Sequence, residues 1–364
     1  MQSDGENREP GVRVPLWDVH TILIFACNLL GDSICRLPAM GAAKEIYPDS
    51  RVLVVADPRY GDVFEGQPFI DEVWPLIRRG GQLSQAWEWL GVIARARRAR
   101  PDLVLDLYGS KRTALVSRLT GARFRAGLHR DGLSRWYTLG DLVDAPALQR
   151  GHIIERMNEA VAPAGIAARF AYRPLAVAEG DREAARAALD GLGIEEEADF
   201  VVLNPATRVE AKRWAAERFG QLARAISGSG GPRCAVITAP DQETHTEEVV
   251  NASGGAAVAL PMLELKPLAA LLENAAVLVT GDTGILHLGT AMGAASLVLA
   301  GPTDPQLFAY PSGRQAVLFN REACPEWGEA EQCPRYNTCQ DRRCIDAITV
   351  EEAVEAAREL LSER

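Results

Sequence analysis

Residues 273–305 read ENAAVLVTGDTGILHLGTAMGAASLVLAGPTDP, and the fold is decided by how this stretch is parsed. Ala276 to Thr280 is a short apolar run rich in β-branched residues, the pattern of a strand buried on both faces of a parallel sheet. Gly281-Asp282-Thr283-Gly284 interrupts it with two glycines, and either Asp282 or Thr283 is a candidate helix N-cap. Ile285 to Met292 has helical spacing, and Ser296 to Ala300 is a second strand. A helix that begins just past the carboxyl end of a strand presents free backbone N–H groups and the positive end of its dipole, which suits a phosphate or diphosphate. An ordinary crossover whose Asp and Thr only cap the helix would read the same way from these residues alone.

The same alternation extends in both directions. Towards the N-terminus, strands are expected at Thr21–Ala26, Arg51–Val55, Asp71–Leu76 and Asp102–Leu107, with helices at Ser33–Tyr47, Leu83–Arg98, Ser110–Leu119 and His152–Ala162. A second run has helices at Asp181–Leu192, Trp214–Ser227, Glu243–Asn251 and Leu265–Glu273, strands at Phe200–Asn204 and Arg233–Ala239, and a last amphipathic helix at Val350–Leu361. Strands alternating with helices of this length are βαβ units of parallel sheets. With 364 residues the expectation is two Rossmann-like domains, 19–174 and 175–364, facing each other across a cleft. Residues 120–150 read as irregular.

The net charge of −10 argues against general nucleic-acid binding. Apolar runs fall short of the roughly 20 residues that span a bilayer, which leaves peripheral contact as the form a membrane association would take. Residues 1–18 are polar, carry four acids and are expected to be a disordered tail rather than a leader. Seven cysteines without a secretion signal suit a reducing cytoplasm. A P-loop is absent, and so is any Asp-x-Asp pair for a divalent ion, so a bound diphosphate would have to be met by backbone N–H groups and cations.

Several residues could carry chemistry. Gly31-Asp32 follows the first strand, where an Asp can cap the next helix or act as a general base. Lys212-Arg213-Trp214 follows the strand end Asn204-Pro205-Ala206-Thr207, and its lysine is either a solvated cation or a counter-charge for a leaving group. His287 lies one turn into the helix after Gly284, as a hydrogen-bonding partner of the site or as a packed side chain. Arg95, Arg97, Arg98 and Arg100 gather at a helix end, complementing its dipole. Cys324, Cys333, Cys339 and Cys344 are numerous enough for a tetrahedral structural Zn or Fe, although no C-x-x-C spacing is present, and free or paired thiols read equally well.

Four ordered motifs resemble glycosyltransferase family nine, the ADP-heptose:lipopolysaccharide heptosyltransferases. They are Gly31-Asp32 with Leu37-Pro38-Ala39, then Pro205-Ala206-Thr207 with Lys212-Arg213-Trp214, then Asp282-Thr283-Gly284 with His287, and finally Gly301-Pro302-Thr303-Asp304-Pro305. The resemblance spans about residues 21–361. It implies a GT-B fold and an inverting transferase that needs no catalytic metal. It implies ADP-heptose as donor and a lipopolysaccharide-core or related glycolipid acceptor. By the same resemblance Asp32 is the base and Lys212 the counter-charge of the diphosphate. Thr207, Arg213, Asp282, Thr283, Gly284 and His287 line the donor side; Gly31, Ser110 and Lys111 lie toward the acceptor. Gln242 falls where the family commonly has a ribose-binding glutamate, so either a glutamine replaces that carboxylate or the register shifts by one to Glu243; Ala215 falls where the family usually has proline.

Overall fold

The computed structural model describes residues 19–27, 29–77, 81–128, 134–139, 151–195, 198–311, 314–328 and 330–363. The expected tail at 1–18 lies outside them, as do Asn28 of the first turn and most of the 120–150 stretch. Two compact units emerge. One comprises the described parts of 19–27 and 35–171; the other joins Leu29–Ile34 to Tyr172 and the residues that follow it.

The first unit is one parallel sheet. Its elements in chain order are β1 (Thr21–Phe25), α2 (Leu37–Ile46), β2 (Arg51–Ala56), β3 (Glu72–Pro75), α3 (Gln82–Ala99), β4 (Leu103–Asp106), α4 (Lys111–Leu119), β5 (Phe124–Gly127) and α5 (Ile153–Val161). The strands lie in the order β3-β2-β1-β4-β5. Ile22 pairs with Val52 on one side and Leu103 on the other. The chain therefore winds outward in both directions from β1, and the reversal falls between β1 and β4, where α/β sheets bind ligands at the strands' carboxyl ends. Leu23, Phe25, Leu53, Val55 and Val104 form a core with Trp74, Trp89 and Val116 beneath α3 and α4. Burying such side chains is the main favourable term in folding, about 1.5–3 kcal/mol each.

The second unit contains α1 (Leu30–Ile34), α6 (Glu179–Asp190), β6 (Phe200–Asn204), α7 (Ala216–Ser227), β7 (Arg233–Val236), α8 (Glu243–Ala252), β8 (Ala257–Ala259), α9 (Leu265–Asn274), β9 (Val277–Gly281), α10 (Gly284–Ala291), β10 (Ser296–Ala300), β11 (Gln315–Phe319), α11 (Arg343–Asp346) and α12 (Val350–Ser362). Its six strands, all parallel, run β11-β10-β9-β6-β7-β8. This is the doubly wound dinucleotide-type order, and its reversal lies between β6 and β9. Buried Trp214 anchors the core and donates its indole N–H to the Ile348 carbonyl at 3.1 Å, holding the start of α12 against α7.

Three features differ from the sequence reading. The helix expected over Ser33–Tyr47 is two, α1 and α2, separated at Cys35-Arg36. Pro38 stands in the first turn of α2, where its missing N–H costs nothing but where a helix arriving from Ile34 could not continue. Buried Arg36 fixes the break by donating Nε–H to the Leu107 carbonyl at 2.9 Å. Strands β5, β8 and β11 appear where none was expected, and β5 falls in the stretch read as irregular. Two of the three have four residues or fewer, too short to show a period. Gly228-Ser229-Gly230, a composition that suits a flexible linker, closes α7 with a short 3₁₀ turn.

Candidate active site

The reversal point of the second sheet brings together several of the residues expected on the donor side, Thr207, Lys212 and Thr283. Asn204 ends β6 and Gly281 ends β9, neighbouring strands with Asn204 opposite Thr280. The Asn204 amide donates to the Thr280 hydroxyl at 2.8 Å and to the Thr283 hydroxyl at 3.2 Å. Thr283 occupies the N-cap position of α10 but its side chain makes no cap bond. Its hydroxyl is held instead by Asn204, so the first N–H groups of α10 are not consumed by a side-chain cap. The cap expected from Thr283 is absent for this reason, and the Asp282 carboxylate is engaged by Lys212 instead. In the sequence Asn204 is only the end of a strand; its role follows from a pairing of strands 76 residues apart, which no local pattern shows.

Lys212 sits in a 3₁₀ turn, Glu210–Lys212, that lies over the same strand ends. Its Nζ donates to the Asp282 carbonyl at 3.0 Å and forms a short ion pair with the Asp282 carboxylate. Burial works against the lysine's charge, yet Asp282 and the nearby Tyr336 outweigh it and hold the pKa above the ordinary lysine value. Lys212 stays cationic, and its ammonium lies 5.0 Å from the centre of the Tyr336 ring. Gly301 permits the approach of this turn: a Cβ there would stand 3.1 Å from the Ala211 carbonyl and 3.3 Å from the Lys212 Cα. Asn204, Thr207, Lys212, Gly281 and Thr283 line one small crevice.

Beside it is an open groove lined by Arg213, Asp241, Gln242 and Arg342. Gln242 Oε1 accepts the Thr207 backbone N–H at 3.1 Å, tying the two turns together. Arg213 and Arg342 both pair with Glu210, at 2.8 and 2.9 Å.

Helix α1 packs on α10 within this unit. A Cβ on Gly31 would stand 2.5 Å from His287 Cδ2, and one on Gly284 would stand 3.0 Å from the Leu30 Cβ. Both glycines are required by this close approach rather than by unusual backbone angles. His287 is buried, its Nδ1 lies 2.6 Å from the Tyr172 hydroxyl, and burial depresses its pKa despite the fields of Asp282 and Asp32. The imidazole is therefore neutral at physiological pH. Half-buried Asp32 rides on the helix held in this way.

On the first unit, Ser110 caps α4, accepting the Thr113 N–H at 3.0 Å, while Lys111 is exposed. The loop before them is shaped by fully buried Asp106. It accepts N–H groups from Tyr108 and Gly109 at 3.2 and 3.0 Å and the Tyr137 hydroxyl at 2.8 Å. Burial raises its pKa, against these donors. Gly109 takes φ +65°, and a Cβ there would collide with Leu128 at 2.6 Å.

All seven cysteines are unbridged. Among the described residues, no three His, Cys, Asp or Glu side chains are placed to hold a metal ion. Cys333 and Cys344 are buried against Trp327, with Cys324 beside them, an arrangement that matches the free-thiol alternative. The cysteine segment reaches the site in a way that the sequence did not reveal: the turn between Cys333 and Cys339 carries Tyr336 onto Lys212.

Known proteins share the fold and the sequence family. The sequence model of glycosyltransferase family 9 (heptosyltransferase) matches residues 91–337. Lipopolysaccharide heptosyltransferase 1 of Pseudomonas aeruginosa is 27% identical over 342 residues, covering 89% of this chain and 90% of that protein. The glycosyl transferase family 9 structure from Veillonella parvula superimposes with a TM-score of 0.80 at 21% identity, over 95% of this chain and 98% of that one. The Escherichia coli heptosyltransferase WaaC, solved with ADP-2-deoxy-2-fluoro heptose, gives 0.69 at 21% identity, over 93% and 99%. The fold is GT-B, and with the family model matching more than half of its length the chain belongs to glycosyltransferase family 9, the heptosyltransferases.

Proposed function

We propose that this chain transfers a heptose from ADP-heptose to a sugar of a lipopolysaccharide core, in one displacement that inverts the anomeric centre and needs no metal ion. The observation that carries the reading is the buried Lys212, paired with Asp282 beside the uncapped start of α10 and Thr207. A departing nucleoside diphosphate gains negative charge in the transition state. A lysine kept cationic in a small, water-poor crevice, together with the Thr283 and Gly284 amides, meets that charge where it develops. Asp282 then has two tasks: it fixes the lysine, and it lies where it can orient the sugar.

Asp32 is the base in this reading. It takes the proton of the acceptor hydroxyl while that oxygen bonds the anomeric carbon and the carbon–phosphate-oxygen bond breaks. The support for it is its mounting on α1, which Gly31 seats against neutral His287. A neutral histidine there withholds a cation that would otherwise lower the basicity of the carboxylate. Gln242 and Arg213 line the neighbouring groove, which is where the nucleoside would lie. ADP-heptose as donor is supported by the relatives solved with ADP and with an ADP-heptose analogue. Ser110 and Lys111, at the reversal point of the first sheet, are the acceptor contacts. Seven unbridged thiols suit a cytoplasmic reaction.

The test is calorimetric titration with ADP, GDP and UDP, followed by transfer from ADP-heptose. Selective ADP binding, lost in Lys212→Ala, is the expected result. Selective binding of UDP or GDP would move the donor to another nucleotide. Failure to bind any nucleotide would remove the donor site.

A further inference from the structure

One surface of the first unit is built unlike the rest of this acidic chain. Helices α3 and α4 lie side by side over the same core, with Trp89, Val92, Ala96 and Val116 turned inward. They are joined near both ends: Arg112 donates to the Gln85 side chain at 3.2 Å, and Arg97 donates to the Leu119 carbonyl at 2.8 Å. Their outer faces carry large apolar side chains. Trp87 is 73% exposed and Leu90 52%, one turn apart on α3; Leu115 is 41% and Leu119 36% exposed, one turn apart on α4. Cations stand around them. Arg97, Arg98, Arg100, Lys111, Arg112 and Arg118 are all exposed. Across α3, Arg100 and α4 there is one acid, Glu88, in a protein with a net charge of −10. Arg95 is set apart from this group, since it pairs with Glu72 and stacks 4.3 Å over Trp74.

We infer that this two-helix face docks the enzyme on an anionic lipid bilayer. The occupant follows from the combination. An exposed indole with leucines at one-turn spacing suits the boundary between headgroups and acyl chains, and a surrounding group of Arg and Lys suits acidic headgroups. A second copy of this strongly acidic chain offers the charge but not an apolar layer into which Trp87 and Leu90 can sink. No helix among the described residues is long and apolar enough to cross a membrane, so contact would be made by surfaces such as this one. The face includes Lys111, the first residue of α4, so docking would place the Ser110–Lys111 turn at the lipid surface, where the sugar of a membrane-held acceptor is found. The inference goes beyond the transfer reaction and does not depend on which sugar is transferred.

The test is co-sedimentation of the full chain with unilamellar vesicles. One set contains phosphatidylethanolamine with about 30 mol% phosphatidylglycerol, and the other only phosphatidylcholine. Binding to the first set, weakened by salt, with little binding to the second, is expected. Each cation near an anionic surface is worth about fivefold in partitioning, so Arg98→Gln with Arg100→Gln should lower it about thirtyfold. Trp87→Ser with Leu90→Ser should lower it further while leaving ADP binding unchanged, because both side chains are exposed and remote from the donor residues in sequence and unit. Equal binding to both vesicle sets, no binding to either, or full binding by both variants overturns the inference. So does sedimentation velocity showing that the Trp87→Ser, Leu90→Ser change only dissociates an oligomer.

Discussion

Replacing Lys212 by Met separates the two things this lysine does. The side chains of Lys212 and Asp282 are 9% and 13% exposed, so removing the ammonium leaves a carboxylate that water barely reaches. Breaking a buried pair from one side costs about 3–5 kcal/mol, and the slight exposure of Asp282 places this case near the lower end. For a unit of this size that is a fall of about 6–12 °C in the melting temperature. Adding Asp282→Asn removes the orphaned charge, and most of the loss should return. The rate behaves differently. Losing one group that stabilises a developing anion costs about a hundred- to a thousandfold, and a neutral amide in place of the Asp282 carboxylate brings no cation with which to restore it. Thermal unfolding without ligand and transfer from saturating ADP-heptose, measured on the single and double variants, give both numbers. A single variant as stable as the parent, or a double variant that recovers rate along with stability, would refute the argument that Lys212 is held for its charge.

Other outcomes follow from the same geometry. Gly31→Ala puts a methyl 2.5 Å from a ring that is itself hydrogen-bonded to Tyr172. Overpacking should cost about 1–3 kcal/mol, and a shift of α1 by about 1 Å should lower kcat about a hundredfold with ADP affinity preserved. Because the pKa of His287 is depressed by burial, its unfolded form takes up a proton first. Its contribution to stability is present above about pH 6.5 and is lost as pH falls below it; melting curves from mildly alkaline to mildly acidic pH should show this slope, and His287→Asn should flatten it. Asn204→Ala deletes the donor that holds Thr280 and Thr283. It should cost about 1–3 kcal/mol and raise the KM for the donor more than it lowers kcat, checked by steady-state kinetics.

Much of this was legible in the chain because parallel strands announce themselves. Val277–Thr280 and Leu103–Leu105 are continuous apolar runs closed by a turn, and Gly284 marks where the backbone comes close to a neighbour. What stayed hidden depends on contacts far apart in sequence. Asn204 meets Thr283 only because β6 pairs with β9, and Tyr336 meets Lys212 only because a turn in the cysteine segment folds back onto the strand ends of the same sheet. Local chemistry also misled. Thr283 has the composition of a cap, but Asn204 competes for its hydroxyl. Four cysteines read equally as metal ligands or as free thiols, and only the fold shows that Trp327 supplies an apolar surface that two of them cover. The helix through Cys35-Arg36 has unbroken periodicity, and only Pro38 hints at the division. The exposed faces of α3 and α4 are visible in sequence as an arginine cluster, without the apolar stripe that gives it a use.

The proposed role of Asp32 as the base of a heptosyl transfer rests on its carboxylate. Asp32→Asn keeps the size of the side chain and the packing of α1 on α10. Transfer from ADP-heptose to a core acceptor, with ADP affinity measured on the same preparation, should show a rate lower by about a hundred- to ten-thousandfold at unchanged affinity. A variant that transfers heptose at the parental rate would rule out Asp32 as the base.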